Sequence, residues 1–204
     1  MKLHWSPRSP FVRKVMICAH ETGLAGRLQL VRTTVAMTEP NPELMRDNPL
    51  SKIPTLITDA GDTLYDSHVI CEYLDSLHSG EKLFPAAGEQ RWQVLRRHAL
   101  GDNLLDALVL WRNERIRPDA QRSSDLIAAF DSKLQATLDT YEREGAAPAT
   151  GWLEIDDITL GCVLGYLDFR FSDIPWRPGR AGLAHWYQGF AERTSAKMTW
   201  PGDG

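Results

Sequence analysis

Residues 9–15 (SPFVRKV) decide how the first part of this chain folds. Proline at the first position of a helix loses no hydrogen bond, so Pro10 predicts a helix start with Ser9 as the N-cap residue. Phe11, Val15 and Cys18 then recur at helical spacing. The unpaired N–H groups of such a helix start favour an anion or a thiolate, which gives Ser9 a candidate chemical role besides capping.

The segments around this helix predict a βαβ unit. Residues 2–5 and 27–32 have the composition of short strands, and Gly23 ends the helix between them. Two strands joined in this way pair in parallel. The first thirty-odd residues are therefore expected to form a strand, a helix and a parallel strand.

A β-hairpin and a further helix follow. Residues 55–58 and 63–65 flank a turn of sequence DAGD, which predicts two antiparallel strands. Asp66 and Ser67 then precede an apolar pattern at helical spacing, which indicates an N-terminal cap. The N-terminal part is thus expected to be a compact mixed sheet with helices, an α/β domain.

The rest of the chain favours helices alone. Residues 79–88 contain two glycines and a proline and have the character of a linker. Apolar residues recur at helical spacing in residues 95–110 and 126–141, and residues 158–169 are apolar on nearly every side. We therefore predict an α/β domain at residues 1–78, a linker at residues 79–88 and an all-α helical bundle at residues 89–204.

Composition excludes several partners and settings. The net charge of −4 has its basic and acidic residues mixed along the chain, so neither nucleic acid nor an anionic membrane is an expected partner. Cys18, Cys71 and Cys162 are far apart and have no metal-ligand spacing, so no metal is expected. Together with the lack of a signal-like apolar run, they favour a cytoplasmic location.

Two further segments suggest a binding site for a small peptide. In residues 48–56 (NPLSKIPTL), a cis bond before Pro54 would leave the backbone N–H and C=O groups of Ile53 free to pair with an extended ligand. Asp66 offers a carboxylate for an ammonium group, and Ser67 offers a hydroxyl and backbone donors for a carboxylate. With the Ser9 helix start, these features describe a pocket for a zwitterionic peptide.

Over nearly its whole length, and most clearly in residues 1–78, the chain resembles the glutathione transferase family. The resemblance is carried by residues 9–14 (SPFVRK), 48–54 (NPLSKIP) and 66–74 (DSHVICEYL). It implies a thioredoxin-like N-terminal domain that binds glutathione as cosubstrate, and a helical C-terminal domain that helps to bind the electrophile. It also implies a homodimer, in which Asp102 and Asp106 are candidates to face the partner's glutathione, although solvated carboxylates are the simpler interpretation.

The same resemblance implies roles for individual residues. Ile53 would pair its backbone with the cysteinyl part of glutathione, and Pro54 would be the family's cis-proline. Asp66 and Ser67 would hold the γ-glutamyl end. Lys52 has two interpretations of equal weight, a partner for a glutathione carboxylate or a solvated charge.

Ser9 resembles the catalytic serine or cysteine of bacterial and omega-type members. Its hydroxyl would donate a hydrogen bond to the glutathione sulfur and favour the thiolate. Ser6 is the alternative, because some classes place their catalytic serine before the helix cap. We favour Ser9, because only Ser9 lies at the predicted cap.

Other positions depart from the family or leave alternatives open. Position 51 is often glycine in the family and is Ser51 here, and a Ser or Thr cap is replaced by Glu154, three residues before Asp157, which puts that capping box in doubt. Arg13 is expected to be a surface residue paired with a glutamate. Five residues could contribute aromatic or cationic walls of the electrophile pocket, although the aromatic ones at helical spacing are more simply explained as core: Trp5, Trp111, Arg112, Arg115 and Tyr166.

These features predict a detoxifying transferase that conjugates glutathione to a small hydrophobic electrophile, or a related lyase or dehalogenase. Thiol–disulfide exchange needs a reactive cysteine where this chain has Ser9, so it is disfavoured. The remaining alternative is a non-catalytic or regulatory protein that binds glutathione with the same fold.

Overall fold

The computed structural model describes residues 1–145, 149 and 151–203. The N-terminal part consists of β1 (Lys2–Trp5), α1 (Pro10–Glu21), β2 (Gln29–Arg32), β3 (Thr55–Ile57), β4 (Thr63–Leu64) and α2 (Ser67–Ser76). The helical part consists of α3 (Gly88–Arg115), α4 (Ser124–Glu144), α5 (Ile155–Arg170), α6 (Ala181–Glu192) and α7 (Thr194–Met198). This is the predicted fold class, an α/β domain followed by helices.

The four strands form one mixed sheet in the order β2-β1-β3-β4. β1 pairs in parallel with β2, while β3 is antiparallel to both β1 and β4. The predicted βαβ unit and hairpin are therefore confirmed. β2 is an edge strand, and it begins at Gln29, two residues later than predicted, because residues 25–27 form a 3₁₀ turn.

α5 is the central helix of the molecule and packs against α1, α3 and α6. Its glycines allow this close packing. A methyl group added at Gly161 would lie 2.1 Å from the ring of Phe190, and one added at Gly165 would lie 1.9 Å from Nη1 of Arg13. The glycines thus let an aromatic ring of α6 and a guanidinium of α1 approach the α5 backbone.

The capping box at the start of α5 forms, although its first member is Glu154. The backbone N–H of Glu154 donates to Oδ2 of Asp157 at 3.1 Å, and the Glu154 side chain accepts from the backbone at position 157. Burial, together with the negative charge of Asp156, raises the pKa of Asp157 to about 7. The sequence-based doubt about this box is therefore removed.

The segment between α2 and α3 packs into the core. Leu83 is fully buried, and the Asp75 carboxylate accepts hydrogen bonds from the backbone N–H groups of Leu83 and Phe84 at 2.9 and 3.2 Å. The Leu83 carbonyl in turn accepts from the N–H of Ile155 at 3.0 Å. This segment therefore ties the N-terminal part to the start of α5.

Candidate functional site

The register of the sheet brings three loops to one edge. His4, near the end of β1, is paired with Thr55 at the start of β3, and Leu56 is paired with Leu64 at the end of β4. The loop after β1, the loop before β3 and the start of α2 consequently meet at the carboxyl end of β1. These loops carry all the site residues predicted from the sequence.

Ser9 caps α1 as predicted. Its Oγ accepts a hydrogen bond from the N–H of Val12 at 3.2 Å, which leaves the hydroxyl proton without an acceptor among the described residues. The Oγ of Ser6 likewise only accepts, from the N–H of Arg8 at 3.4 Å, but Ser6 is buried whereas Ser9 is half-buried. Both serine hydroxyls can therefore donate a hydrogen bond to a ligand, and that of Ser9 is the more accessible.

The loop before β3 is held by one buried amide. The Nδ2 of Asn48 donates to the carbonyl of Lys52 at 3.2 Å and to the Thr55 hydroxyl at 3.0 Å. Ser51 has a φ of +51°, a backbone conformation that glycine adopts most easily. Its Oγ accepts from the N–H of Asn41 at 2.8 Å. This hydrogen bond holds a serine at a position that is often glycine in the family that the chain resembles.

The Ile53–Pro54 bond is cis. Ile53 is buried, and its backbone N–H and C=O groups form no hydrogen bond within the part of the chain that the structure describes. Paired backbone groups are the rule in folded proteins, so this free pair beside a strand suits an added extended peptide. The neighbouring Lys52 side chain is exposed.

The start of α2 completes this edge. The side chain of Asp66 caps the helix by accepting from the N–H of His68 at 3.0 Å, and the buried Ser67 is the first helical residue. The peptide bond before Asp66 is also cis. At this helix N-terminus, backbone donors lie beside a carboxylate, the pair of groups that a zwitterion needs.

A chain of hydrogen bonds links the α2 start to the helical part. The Thr159 hydroxyl donates to the Ile155 carbonyl at 2.7 Å, so it accepts from Nδ1–H of His98, also at 2.7 Å. Nε2 of His98 is then the acceptor for Nδ1–H of His68 at 3.2 Å. Burial, with smaller effects from the charges of Lys14 and His68, lowers the pKa of His98 to about 2. His98 is therefore a neutral, oriented histidine behind the site.

Asp102 and Asp106 lie one turn apart on α3. Asp102 forms an ion pair with the fully buried Lys14, so the interpretation of Asp102 as a solvated carboxylate was wrong. Asp106 is exposed, but partial desolvation of its carboxyl and the charge of Asp102 raise its pKa, while the positive charge of Lys52 opposes the rise. Their position against a partner subunit stays a prediction.

The expectation for Arg13 was also wrong. Its side chain is buried, forms no ion pair among the described residues, and reaches the Gly161 carbonyl at 3.5 Å. Nε and Nη2 have no hydrogen-bond partner there, and the ring of Trp200 lies 5.4 Å from the guanidinium carbon. Arg13 thus joins α1 to α5, a role that the local sequence gives no sign of.

The candidate pocket residues divide into core and surface. Trp111 and Tyr166 are buried, and Trp111 lies against Phe171 with ring centroids 5.1 Å apart, so Trp111 is core as expected. Arg115 pairs with Asp173 at 2.7 Å. Arg112 has no side-chain hydrogen bond or ion pair to any described residue.

The chain matches two family models, described as the glutathione S-transferase N-terminal domain over residues 8–77 and the glutathione S-transferase C-terminal domain over residues 124–189. The chain belongs to the glutathione S-transferase family. Both matched regions lie inside the α/β and helical parts seen in the fold.

Individual family members are similar over the whole chain. A glutathione transferase family member from Pseudomonas fluorescens Pf-5, solved with bound glutathione, is 40% identical with a TM-score of 0.95, and 98% of each chain is covered. A structure from the same organism with bound S-(propanoic acid)-glutathione is 38% identical with a TM-score of 0.91, covering 99% of this chain and 100% of that one. An uncharacterized GST-like protein of Escherichia coli K12, YibF, is 29% identical over 98% of both chains.

In this transferase family member, the sequence did not predict that two distant arginines contact the same residue. Arg8 and Arg170 come together on Asp203, although they belong to different parts of the fold: Arg8 donates to its main-chain carbonyl at 3.1 and 2.9 Å, and Arg170 pairs with its carboxylate at 2.7 Å. Their spacing of more than 160 residues carries no local signal.

Among the helices that the structure describes, none is both long and apolar enough to cross a membrane.

Proposed function

We propose that the protein is a serine-type glutathione transferase that joins the sulfur of glutathione to a small electrophile. The observation that supports this best is the free backbone of Ile53 at the sheet edge that also carries the uncommitted hydroxyl of Ser9. Glutathione-bound structures of relatives that are 40% and 33% identical to this chain support the choice of peptide.

In this proposal, each predicted residue has one task. The backbone of Ile53, placed by the cis bond to Pro54, pairs with the cysteinyl residue of glutathione. Asp66 binds the γ-glutamyl ammonium group, and the N–H and hydroxyl of Ser67 bind its carboxylate. Lys52 is exposed, forms no ion pair with any residue that the structure describes, and binds the glycine carboxylate.

Ser9 stabilises the reacting sulfur. Its hydroxyl donates a hydrogen bond to the thiolate, and the free N–H groups at the start of α1 add a positive potential, so the thiol loses its proton to solvent near neutral pH. The thiolate then attacks the electrophilic carbon. A C–S bond forms, and the leaving group departs with its electron pair.

The cysteines support transfer rather than disulfide exchange. Cys18, Cys71 and Cys162 are buried and unpaired, and burial raises the pKa of Cys162 to about 12. A buried thiol with a raised pKa is a poor nucleophile. Three free thiols also support a reducing compartment, and we propose the cytoplasm.

We also propose a homodimer. α3 exposes Trp92 at 70% and Leu110 at 49%, and large exposed apolar side chains favour an interface. Sedimentation equilibrium tests this state, with a concentration-independent monomer as the contrary result.

Calorimetric titration with glutathione tests the central proposal. Saturable binding with a Kd in the micromolar to millimolar range is expected, and Asp66→Asn is expected to weaken it at least tenfold because the ammonium partner is lost. Asp62→Asn, in the exposed turn between β3 and β4, is the matched control. Absence of binding at 10 mM glutathione would contradict the proposal, whereas binding without turnover of any electrophile would favour the regulatory alternative.

A further inference from the structure

Arg13 is the one buried lysine or arginine that has no acidic partner in the part of the chain that the structure describes. Three such side chains are buried there: Arg13, Lys14 and Arg180. Lys14 pairs with Asp102, and Arg180 pairs with Asp139 at 2.6 Å. Lysine and arginine are almost never fully buried unless they are paired, so Arg13 departs from the pattern of the other two.

The neighbours of the Arg13 guanidinium in the helical part are neutral. Nη1 reaches the Gly161 carbonyl at 3.5 Å, and a methyl group added at Gly165 would lie 1.9 Å from the same nitrogen. Nε and Nη2 have no hydrogen-bond partner among the described residues. Since buried polar groups in proteins are nearly always hydrogen-bonded, these two nitrogens favour a ligand that supplies oxygen acceptors.

Arg13 also lines the cavity that Ser6 and Ser9 share, which has a volume of about 110 Å³. It lies one helical turn after Ser9, and its backbone N–H donates to the Ser9 carbonyl at 3.0 Å. The other walls are largely apolar and include Trp5, Met16, Leu30, Met198 and Trp200. An apolar cavity of about 150 Å³ binds benzene, so a cavity of this order admits one aromatic ring.

The indole of Trp200 lies over the guanidinium, with its ring centroid 5.4 Å from Cζ of Arg13. Trp200 is 50% exposed, and cation–π contacts at exposed sites are weak. Hydrogen bonds between a guanidinium and a carboxylate are stronger, because both groups are charged and their planar geometries match. A carboxylate that displaces this indole therefore binds Arg13 more strongly than the indole does.

We propose that this cavity binds the acceptor as an arylcarboxylate, with the aromatic ring between the apolar walls and the carboxylate on Arg13. The electrophilic carbon, on the opposite side of the ring, then lies beside Ser6 and Ser9, where the glutathione sulfur reacts. The inference rests on the proposed transfer of glutathione, and it adds the class of acceptor.

Two acceptors of the same shape test this site. 4-(Chloromethyl)benzoate and 4-(chloromethyl)benzamide have the same reactive carbon and differ in charge. With either one, the thiolate forms a C–S bond, and chloride leaves with the electron pair of the C–Cl bond. Each kcat/KM is divided by the rate constant of free glutathione with the same acceptor. This normalised value is expected to be about tenfold higher for the benzoate, because the amide loses the hydrogen bond to a charged group.

Variants of Arg13 assign the preference to this residue. Arg13→Met is expected to remove the preference, and it leaves no buried charge without a partner. Arg13→Lys keeps the charge without the planar fork and should keep part of the preference. Arg32→Gln is the matched control, because Arg32 lies 5.4 Å from the ring of Trp5, another wall of the cavity, but is itself exposed. It should keep the full preference.

Three results would overturn the site: equal normalised values in the wild type, a preference that survives in Arg13→Met, or an equal loss in Arg32→Gln. The first of these needs no variant, so the test does not depend on the folding of Arg13→Met. Failure of the wild type to bind glutathione would instead contradict the proposed function.

Product binding supplies a readout besides turnover. In calorimetry, the wild type is expected to bind S-(4-carboxybenzyl)glutathione about tenfold more tightly than S-(4-carbamoylbenzyl)glutathione, for the same reason. Arg13→Met should bind the two compounds equally. Equal affinities in the wild type would overturn the site even if glutathione itself binds.

Discussion

Ser9 carries two roles at one position, a helix cap and a hydrogen-bond donor. Ser9→Ala is expected to lower the absorbance of the thiolate of bound glutathione at pH 7, because the donor to the sulfur is removed. It should also lower the free energy of unfolding by about 1 kcal/mol through loss of the cap.

Two variants separate these roles. Ser123→Ala removes an equivalent cap from α4, where Ser123 accepts from the N–H of Leu126 at 3.3 Å, and should lose stability while thiolate absorbance is unchanged. Ser6→Ala should leave the absorbance near the wild-type value. A thiolate fraction that falls in Ser6→Ala and not in Ser9→Ala would transfer the role to Ser6.

At the residue scale, the sequence predicts those structural features that depend only on neighbouring positions in the chain. Pro10 predicts the cap at Ser9 because capping is a local effect, whereas the cis bond before Pro54 was implied by the resemblance to the family. The burial of Arg13 depends on Gly165, about 150 residues away, and so does not follow from its own segment. The same holds for Arg8 and Arg170 on Asp203.

The buried His98 on α3 makes the free energy of unfolding depend on pH. The folded protein holds its pKa near 2, whereas an unfolded histidine titrates near 6.5, so the unfolded chain takes up a proton below pH 6.5 that the folded chain does not. Stability from this residue is present above pH 6.5 and is lost as the pH falls, by about 1.4 kcal/mol per unit.

His98→Asn should reduce the loss of stability that occurs as the pH falls below 6.5. Urea denaturation between pH 6.5 and 4.5 is expected to show a shallower loss of stability in the variant, since the titrating group is absent. The exposed His185 supplies the control, and His185→Asn should keep the wild-type slope. Parallel pH profiles for the wild type and His98→Asn would disprove the burial of a neutral histidine.

The approach of α6 to α5 depends on Gly161. Gly161→Ala is expected to destabilise the protein by about 2 kcal/mol or more, because the added methyl group meets the fully buried ring of Phe190. Gly26→Ala, where a methyl group meets nothing within 4 Å, should change stability by less than about 0.5 kcal/mol. Equal urea midpoints for the two variants would show that Phe190 relaxes freely.

Elements are the scale at which sequence patterns are most informative. The apolar spacing of the helices and the turn residues between β3 and β4 locate these elements within a few residues. The ends are less well predicted: α3 extends from Gly88 to Arg115, beyond the apolar pattern at residues 95–110, because its outer turns are polar. The order of β1 between β2 and β3 follows from tertiary packing.

At the scale of the whole molecule, a buried ion pair joins the two parts. Lys14 of α1 is fully buried against Asp102 of α3, so Asp102→Ala should cost about 3 kcal/mol by leaving a buried charge unpaired. Asp106→Ala, one turn along the same helix and exposed, should cost less than about 0.5 kcal/mol.

The double variant Lys14→Met/Asp102→Leu should recover most of the loss, because no charge is left unpaired. Chemical denaturation of the four proteins, including the wild type, measures this. A double variant as unstable as Asp102→Ala would indicate that the pair acts through geometry rather than through charge.

The packed segment between α2 and α3 limits how such a protein can be recombined. Its Leu83 side chain is buried, and its backbone is bonded both to Asp75 of the N-terminal part and to Ile155 of the helical part. A chimera that joins the N-terminal half of one relative to the helical half of another takes the segment around Leu83 from one parent only, so its contacts with the other half are not matched. Exchange of halves should therefore succeed only between relatives that have matching residues on both sides of this segment, at the positions of Asp75 and Ile155.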